Sequence, residues 1–113
     1  MNKKSRLMRR ADRIWFEKLL KEKCEVCGKP AIQVHHFFPK GLYGHLRYNT
    51  SNGVSLCRGC HFLIHHADPK IRDKIIEVRG KKWYDELKEK SKEIHISHKT
   101  IKYYEEIISK LSL

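Results

Sequence analysis

Residues 24–66 read CEVCGKPAIQVHHFFPKGLYGHLRYNTSNGVSLCRGCHFLIHH. The stretch carries two cysteine pairs, Cys24-x-x-Cys27 and Cys57-x-x-Cys60, with 29 residues between them. A CxxC turn presents two thiolates from one tight bend, and two such turns supply the four soft ligands of a tetrahedral zinc ion. Gly28, just after the first pair, and Gly59, inside the second, suit knuckles of this kind. Four free thiols or a redox pair are the competing readings, and the repeated spacing favours zinc. Four cysteines would close the coordination shell, so Cys24, Cys27, Cys57 and Cys60 are read as a structural zinc staple.

Inside the staple, Ile32, Val34, His36 and Phe38 alternate with other residues as a short strand does. Val54-Ser55-Leu56 is a second strand running into Cys57. From Pro39 to Asn52 the composition turns to Gly, Asn, Ser, Thr and Tyr, which predicts a surface loop. After Cys60 the stretch from His61 to His66 has no breaker and begins a helix. Asp68-Pro69 is a helix start, with a side-chain acceptor at the N-cap and proline at the first helical position. The helix it opens, about residues 70 to 79, stops at Gly80, and helical character resumes to about Glu93. A last helix from about residue 98 puts Ile101, Tyr104, Ile108 and Leu111 on one face. On the other side, residues 5 to 23 read as a helix with Leu7, Ile14, Leu19 and Leu20 at helical spacing, Trp15 and Phe16 beside them, and a largely basic opposite face.

The histidines are the chemistry-bearing set. His35 and His36 lie between the knuckles, His61 follows Cys60 directly, and His65 comes four residues later, on the same helix face as His61. Two imidazoles at that spacing are a natural way to hold one metal ion. Adjacent residues of a regular strand point to opposite faces, so His35 and His36 cannot both face one ion from an ideal strand.

The order Cys24-x-x-Cys27, His35-His36, Asn52, Cys57-x-x-Cys60-His61 resembles the zinc-containing HNH (ββα-metal) endonucleases and is similar to the phage junction-resolving nucleases. The resemblance covers about residues 24 to 66. It implies an α+β fold with a small ββα-metal (HNH, His-Me finger) core, stapled by the four-cysteine zinc site and flanked by N- and C-terminal helices. It also implies roles. His35 stands at the first metal ligand, His36 at the general base, Asn52 at the residue that braces the loop and orients the base, and His61 at the second metal ligand. His65 matches the third ligand of members that use three histidines. The implied activity is metal-dependent hydrolysis of DNA phosphodiester bonds, nicking or structure-directed, by a one-metal mechanism. Only Glu25 and Asp68 are acidic within residues 24–68, which argues against a two-metal carboxylate site there. Imidazole ligands admit Mn, Ni, Co or Zn more readily than Mg, and Mg serves when phosphate and water complete its shell.

The flanks supply the charge. The 113 residues carry 25 Lys and Arg against 13 Asp and Glu, a net of +12 that points to a polyanionic partner. Residues 1–23 hold 9 basic and 3 acidic side chains, residues 24–68 hold 4 and 2, and residues 69–113 hold 12 and 8. The chain thus divides into a basic N-terminal helix (1–23), a zinc-stapled core (24–68) and a helical extension (69–113), expected to fold as one domain. The flanking helices are expected to widen the nucleic-acid footprint or to dimerise. Lys40, His45, Arg47, Tyr48 and Arg58 surround the histidines and are read as phosphate contacts, against the plainer reading of a solvated loop. No apolar run approaches the ~20 residues of a membrane span, and the basic start lacks a signal-peptide core, so the expected location is the cytosol. The competing function is a non-catalytic zinc module that binds nucleic acid; it explains the charge and the cysteines but leaves the histidines and Asn52 as coincidence. Whether the substrate is duplex, branched or nicked DNA or RNA stays open, as does the choice between a monomer, a homodimer and a larger phage-type assembly.

Overall fold

The computed structural model describes residues 1–93 and 99–113. Helix α1 (Lys3–Leu19) leads to a hairpin of β1 (Gln33–His36) and β2 (Gly53–Leu56). Helices α2 (Arg58–His65), α3 (Pro69–Arg79), α4 (Lys81–Lys92) and α5 (Ile101–Leu111) follow. The strands pair antiparallel, with Val34 opposite Ser55 and His36 opposite Gly53 on one face, and Gln33 opposite Leu56 and His35 opposite Val54 on the other. This is a mixed α+β fold whose β1-β2-α2 unit is a ββα core.

The alternation of the hairpin divides the molecule into two cores. Val54 and Leu56 pack with Phe37, Phe38, Leu46, Ile71, Ile75 and Leu87, beneath α2, α3 and α4. Val34 on the other face packs with Ala11, Trp15, Tyr48, Tyr104, Ile108 and Leu111, beneath α1 and α5. The apolar stripes of α1 and α5 are therefore buried against each other and against the hairpin. Ile101 lies off the buried stripe of α5 and is 37% exposed. The expected start of this last helix near residue 98 lies outside the described residues; the described helix is capped by Thr100, whose side chain accepts from Tyr103 N–H.

The helix ends beside the knuckles and the 39–52 segment differ from the sequence reading. Helix α1 ends at Leu19 rather than at residue 23, because the Ser55 hydroxyl donates to the Leu19 carbonyl and accepts from Lys21 N–H at 2.9 Å. The chain then pairs Lys23 with Pro30 in an isolated bridge beneath the first knuckle. Helix α2 begins at Arg58, a turn earlier than expected, because the Cys57 sulfur acts as its N-cap and accepts from Cys60 N–H. The second knuckle is thus the first turn of a helix. The 39–52 segment is more than surface loop: it contains two short 3₁₀ turns, and Leu46, Tyr48 and Asn52 within it are buried. Asp68 caps α3 as the sequence predicts, accepting from Lys70 N–H.

Gly53 explains how α1 comes so close to the hairpin. A Cβ there would lie 2.6 Å from Leu19 Cδ1, 2.9 Å from Val34 Cγ1 and 3.0 Å from Trp15 Cζ2. Only a glycine leaves room for that contact.

Candidate metal centre and nucleic-acid cleft

The four cysteine sulfurs lie within 4.8 Å of one another, and Cys27 Sγ is 3.5 Å from Cys57 Sγ. Four ligands at the usual zinc–sulfur distance stand about 3.8 Å apart at tetrahedral angles, so the donor set fits a structural zinc ion. Both knuckles direct backbone N–H groups at sulfur, Val26 at Cys24 and Cys60 at Cys57, each at 3.4 Å. The Cys60 N–H, with further help from neighbouring thiols, outweighs burial and holds the Cys57 thiol down to about 7, favouring the thiolate. Gly28 closes the first knuckle with φ of +79° and donates to the Cys24 carbonyl. The second knuckle needs no such residue, since its bend is a helix turn.

A buried ion pair ties this staple to the helices. Glu25, with its side chain 8% exposed, accepts from Arg79 Nε and Nη2 of α3 and from Ser55 N–H of β2. Arg79 also donates to the Gly53 carbonyl at 2.7 Å. One of the two carboxylates of the 24–68 segment is thus fully engaged in structure, and the other, Asp68, caps α3.

The three histidines His35, His61 and His65 bring their ring nitrogens within 4.8 Å of one another. His61 Nε2 and His65 Nε2 are 3.0 Å apart, and His35 presents its ring edge-on to both. Nitrogens bound to one ion at about 2.1 Å stand roughly 3.0 to 3.4 Å apart, depending on octahedral or tetrahedral angles. The donor set and the spacing fit a divalent ion, and the structure brings His65 into the same cluster as the other two. Burial, reinforced by the neighbouring imidazoles, lowers the His35 pKa to about 4 and also lowers that of His61. These rings are neutral near pH 7, as metal ligands must be.

The His35–His36 difficulty is resolved by where the hairpin ends. The rings do point to opposite faces, His35 toward α2 and His36 toward α1. With only two strands among the described residues, however, β1 has a free edge, and both rings line one cleft of about 830 Å³ along it. Asp12, Trp15 and Phe16 form one wall, and His61, Ile64, His65 and Arg72 form another. His36 stacks on Trp15 with ring centroids 4.2 Å apart and planes 9° from parallel. Its Nε2 lies 3.0 Å from the Arg47 carbonyl. A carbonyl only accepts, so this contact places the ring proton on Nε2 and leaves Nδ1 as the unprotonated nitrogen. Burial lowers the His36 pKa, against the opposing effect of that hydrogen bond, so the ring is a neutral acceptor near pH 7.

Asn52 is fully buried and faces away from the cleft. Its Oδ1 accepts from Phe38 N–H at 2.8 Å, and its Nδ2 donates to the carbonyls of Phe38 and Leu46. Its own carbonyl accepts from Phe37 N–H. It fastens the end of β1 to the loop that carries Arg47.

The expected phosphate contacts separate. Lys40 is exposed on the cleft rim, and Arg58 is exposed at the start of α2, outside the cleft. Arg47 is engaged elsewhere: its guanidinium makes a two-pronged contact with Asp12, Nε to Oδ1 at 3.0 Å and Nη2 to Oδ2 at 2.7 Å. His45 turns to α4 and donates to the Lys90 carbonyl. Tyr48 is buried against Tyr104. The sequence reading missed Arg72, which sits over the Phe37 and Tyr84 rings at 5.0 and 5.4 Å and faces the cleft. It also missed Asp12 and Trp15. Nothing in the spacing of any of the three marks it as part of the site.

The model of the HNH endonuclease family matches residues 24–67. Over 48 residues the chain is 44% identical to a mitochondrial DNA mismatch repair protein mutS homolog of Sarcophyton glaucum, an alignment covering 39% of this chain. It covers 5% of that relative, so the chain spans a small part of its length. No solved structure matches the chain.

Proposed function

Taking the HNH domain of residues 24–67 as the premise, we propose that the chain is a metal-dependent endonuclease that hydrolyses DNA phosphodiester bonds. The observation that carries this reading is the cleft itself. It joins a three-imidazole metal cluster to a fourth imidazole whose unprotonated nitrogen is defined by its hydrogen bond. A divalent ion held by His35, His61 and His65 (Mg or Mn, with Ni, Co or Zn as the imidazole-compatible alternatives) would neutralise charge on a nonbridging phosphate oxygen and on the leaving 3′ oxygen.

His36 is the general base. Its Nδ1 removes a proton from the water that attacks phosphorus, and the 3′ oxygen departs as the new P–O bond forms. As the ring becomes an imidazolium, its Nε2–H bond to the Arg47 carbonyl becomes charge-assisted and strengthens. Asn52 acts indirectly, by holding the loop that presents this carbonyl. Lys40 and Arg72 line the cleft with no carboxylate partner among the described residues, and we assign them to the phosphates beside the cut. We assign recognition of the substrate to its backbone and shape, with nicking or structure-directed cutting as the outcome. The basic surface of Arg58 and the flanking helices extends the contact with DNA, and we place the protein in the cytosol.

The test is cleavage of supercoiled plasmid by the zinc-loaded protein with added Mg or Mn, beside metal-free controls and His36→Ala. Metal-dependent nicking that His36→Ala abolishes while keeping its fold and DNA binding is the expected result. DNA binding with no cleavage under any metal would overturn the proposal in favour of a zinc-stapled binding module.

A further inference from the structure

We infer that helix α1, which lies outside the HNH segment, is part of the active site, with Trp15 and Asp12 as positioning residues for His36. The inference rests on the nuclease reading for its kinetic consequence and on geometry alone for its structural one. Trp15 covers one face of the His36 imidazole at 4.2 Å in near-parallel stacking. The indole is itself fixed: it is 3% exposed, and its Nε1–H donates to the Asn49 carbonyl at 3.1 Å. Asp12 stands three residues earlier, on the same face of α1. Its carboxylate holds the Arg47 guanidinium at both ends, and the carbonyl of that same Arg47 accepts the His36 Nε2–H. One helix face therefore fixes the imidazole twice, on its plane through Trp15 and on its edge through Asp12 and Arg47.

The plainer account makes Trp15 a core residue and Asp12–Arg47 one more partly exposed ion pair, worth little to stability. It leaves unexplained why both contacts converge on the one imidazole whose orientation matters for proton abstraction. Rotating the His36 ring to offer Nε2 to the cleft would break the Arg47 bond and turn the Nε2–H, which cannot accept a proton, toward the substrate. Holding the reacting groups in register is worth up to about 100-fold in rate for small displacements.

Two readouts test this on the full zinc-loaded chain. The first is the long-range ¹H–¹⁵N spectrum of the His36 imidazole, which reports tautomer and ring-current shift and needs no catalysis. In the wild type it should show the Nε2–H form with ring protons shifted upfield by the indole. Asp12→Asn should give a mixture of tautomers, and Trp15→Leu should remove the upfield shift while Trp15→Phe retains part of it. The second is the rate of plasmid nicking. Asp12→Asn and Trp15→Leu should lower kcat by about 10- to 100-fold with KM within about twofold of wild type, and Trp15→Phe should recover most of the loss. In an Asp12→Asn, Trp15→Leu double variant the two losses should fall well short of multiplying, since both act through that ring. Should Trp15→Leu fail to fold, Asp12→Asn and Trp15→Phe carry the test. An unchanged tautomer in Asp12→Asn, or losses that multiply fully in the double variant, would overturn the inference. A wild type that cleaves no DNA would remove the nuclease reading, while the imidazole spectrum would still decide the positioning role.

Discussion

Arg79→Met should cost about 3 kcal/mol of folding stability, and the structure shows why the figure is neither smaller nor much larger. Arg79 is the main counter-charge of Glu25, whose side chain is 8% exposed and packed between the first knuckle and β2. Removing one partner of a buried pair strands the other charge and costs about 3–5 kcal/mol. Here Ser55 N–H and Lys21, the latter 3.2 Å away, stay in place for Glu25, so the lower end applies. Methionine retains the aliphatic stem beside Trp83, over which the guanidinium now sits at 5.2 Å. Glu25→Gln should be milder, about 1–2 kcal/mol, because the amide keeps an oxygen for Ser55 N–H and Arg79 keeps the Gly53 carbonyl. The double variant should cost less than the two singles together. The pH dependence has a definite sign. Burial alone would raise the Glu25 pKa, but the Arg79 and Ser55 hydrogen bonds and the Arg79 and Lys21 charges together hold it below the ordinary 4.5. The stabilisation is therefore fully present above pH 4.5 and is lost as pH falls through the lower folded value. Between pH 7 and about 5.5 the deficit of Arg79→Met should be constant. Urea unfolding of zinc-loaded protein, with zinc content checked for each variant, measures it. A deficit under about 1 kcal/mol, or strictly additive singles, would refute the claim that this pair joins the staple to α3.

Three further outcomes follow from the site and its supports. His61→Ala should leave the four-cysteine zinc in place while abolishing binding of a second divalent ion by calorimetry; in the wild type that binding should hold near pH 7 and weaken as pH falls toward the lowered pKa values of His35 and His61, where protons compete for the ring nitrogens. Gly53→Ala should destabilise by about 1–3 kcal/mol and move the Trp15 indole, because its Cβ meets Leu19 and Val34 at under 3 Å; an unshifted Trp15 in a structure of the variant would contradict this. Asn52→Ala, by taking away partners of one N–H and two carbonyls in a fully buried position, should cost about 2–3 kcal/mol and leave the 39–52 segment open to rapid amide exchange.

The division of the chain into two walls of one cleft makes sense of its charge. The central segment that carries the imidazoles is nearly empty of carboxylates, and the two it has are engaged, one by Arg79 and one at the head of α3. The nearest acid to His36 comes from outside the segment, as Asp12, and it is neutralised by Arg47. A polyanion entering the cleft would therefore meet Lys40, Arg72 and neutral imidazoles with little opposing negative charge.

What the sequence by itself determined is everything encoded at short range. The knuckles are read from a three-residue spacing, and the His61–His65 face from one helical turn. The head of α3 is read from Asp68-Pro69, and the first strand from its alternation. These depend on backbone geometry within a turn or a pleat, so they are legible without knowing what the residues touch. The resemblance to HNH nucleases extended that reading to His35, His36 and Asn52; the fold puts the two histidines in one cleft and buries Asn52 behind it. Tertiary structure alone decided the rest. Asp12 meets Arg47 across 35 positions and Trp15 meets Asn49 across 34, and no local period carries such information. Arg47 looked like a phosphate contact because a charge in a loop is normally solvated; its partner was on a distant helix. The sequence runs a strand into Cys57 and starts the helix at His61, because a sulfur is not expected at an N-cap; the Cys60 N–H that it accepts starts the helix earlier. The face that each of the adjacent histidines presents follows from the pleat, but their sharing of one cleft follows from a sheet with only two strands. That edge, and the helix packed over Gly53 beside it, exist only once the chain has folded.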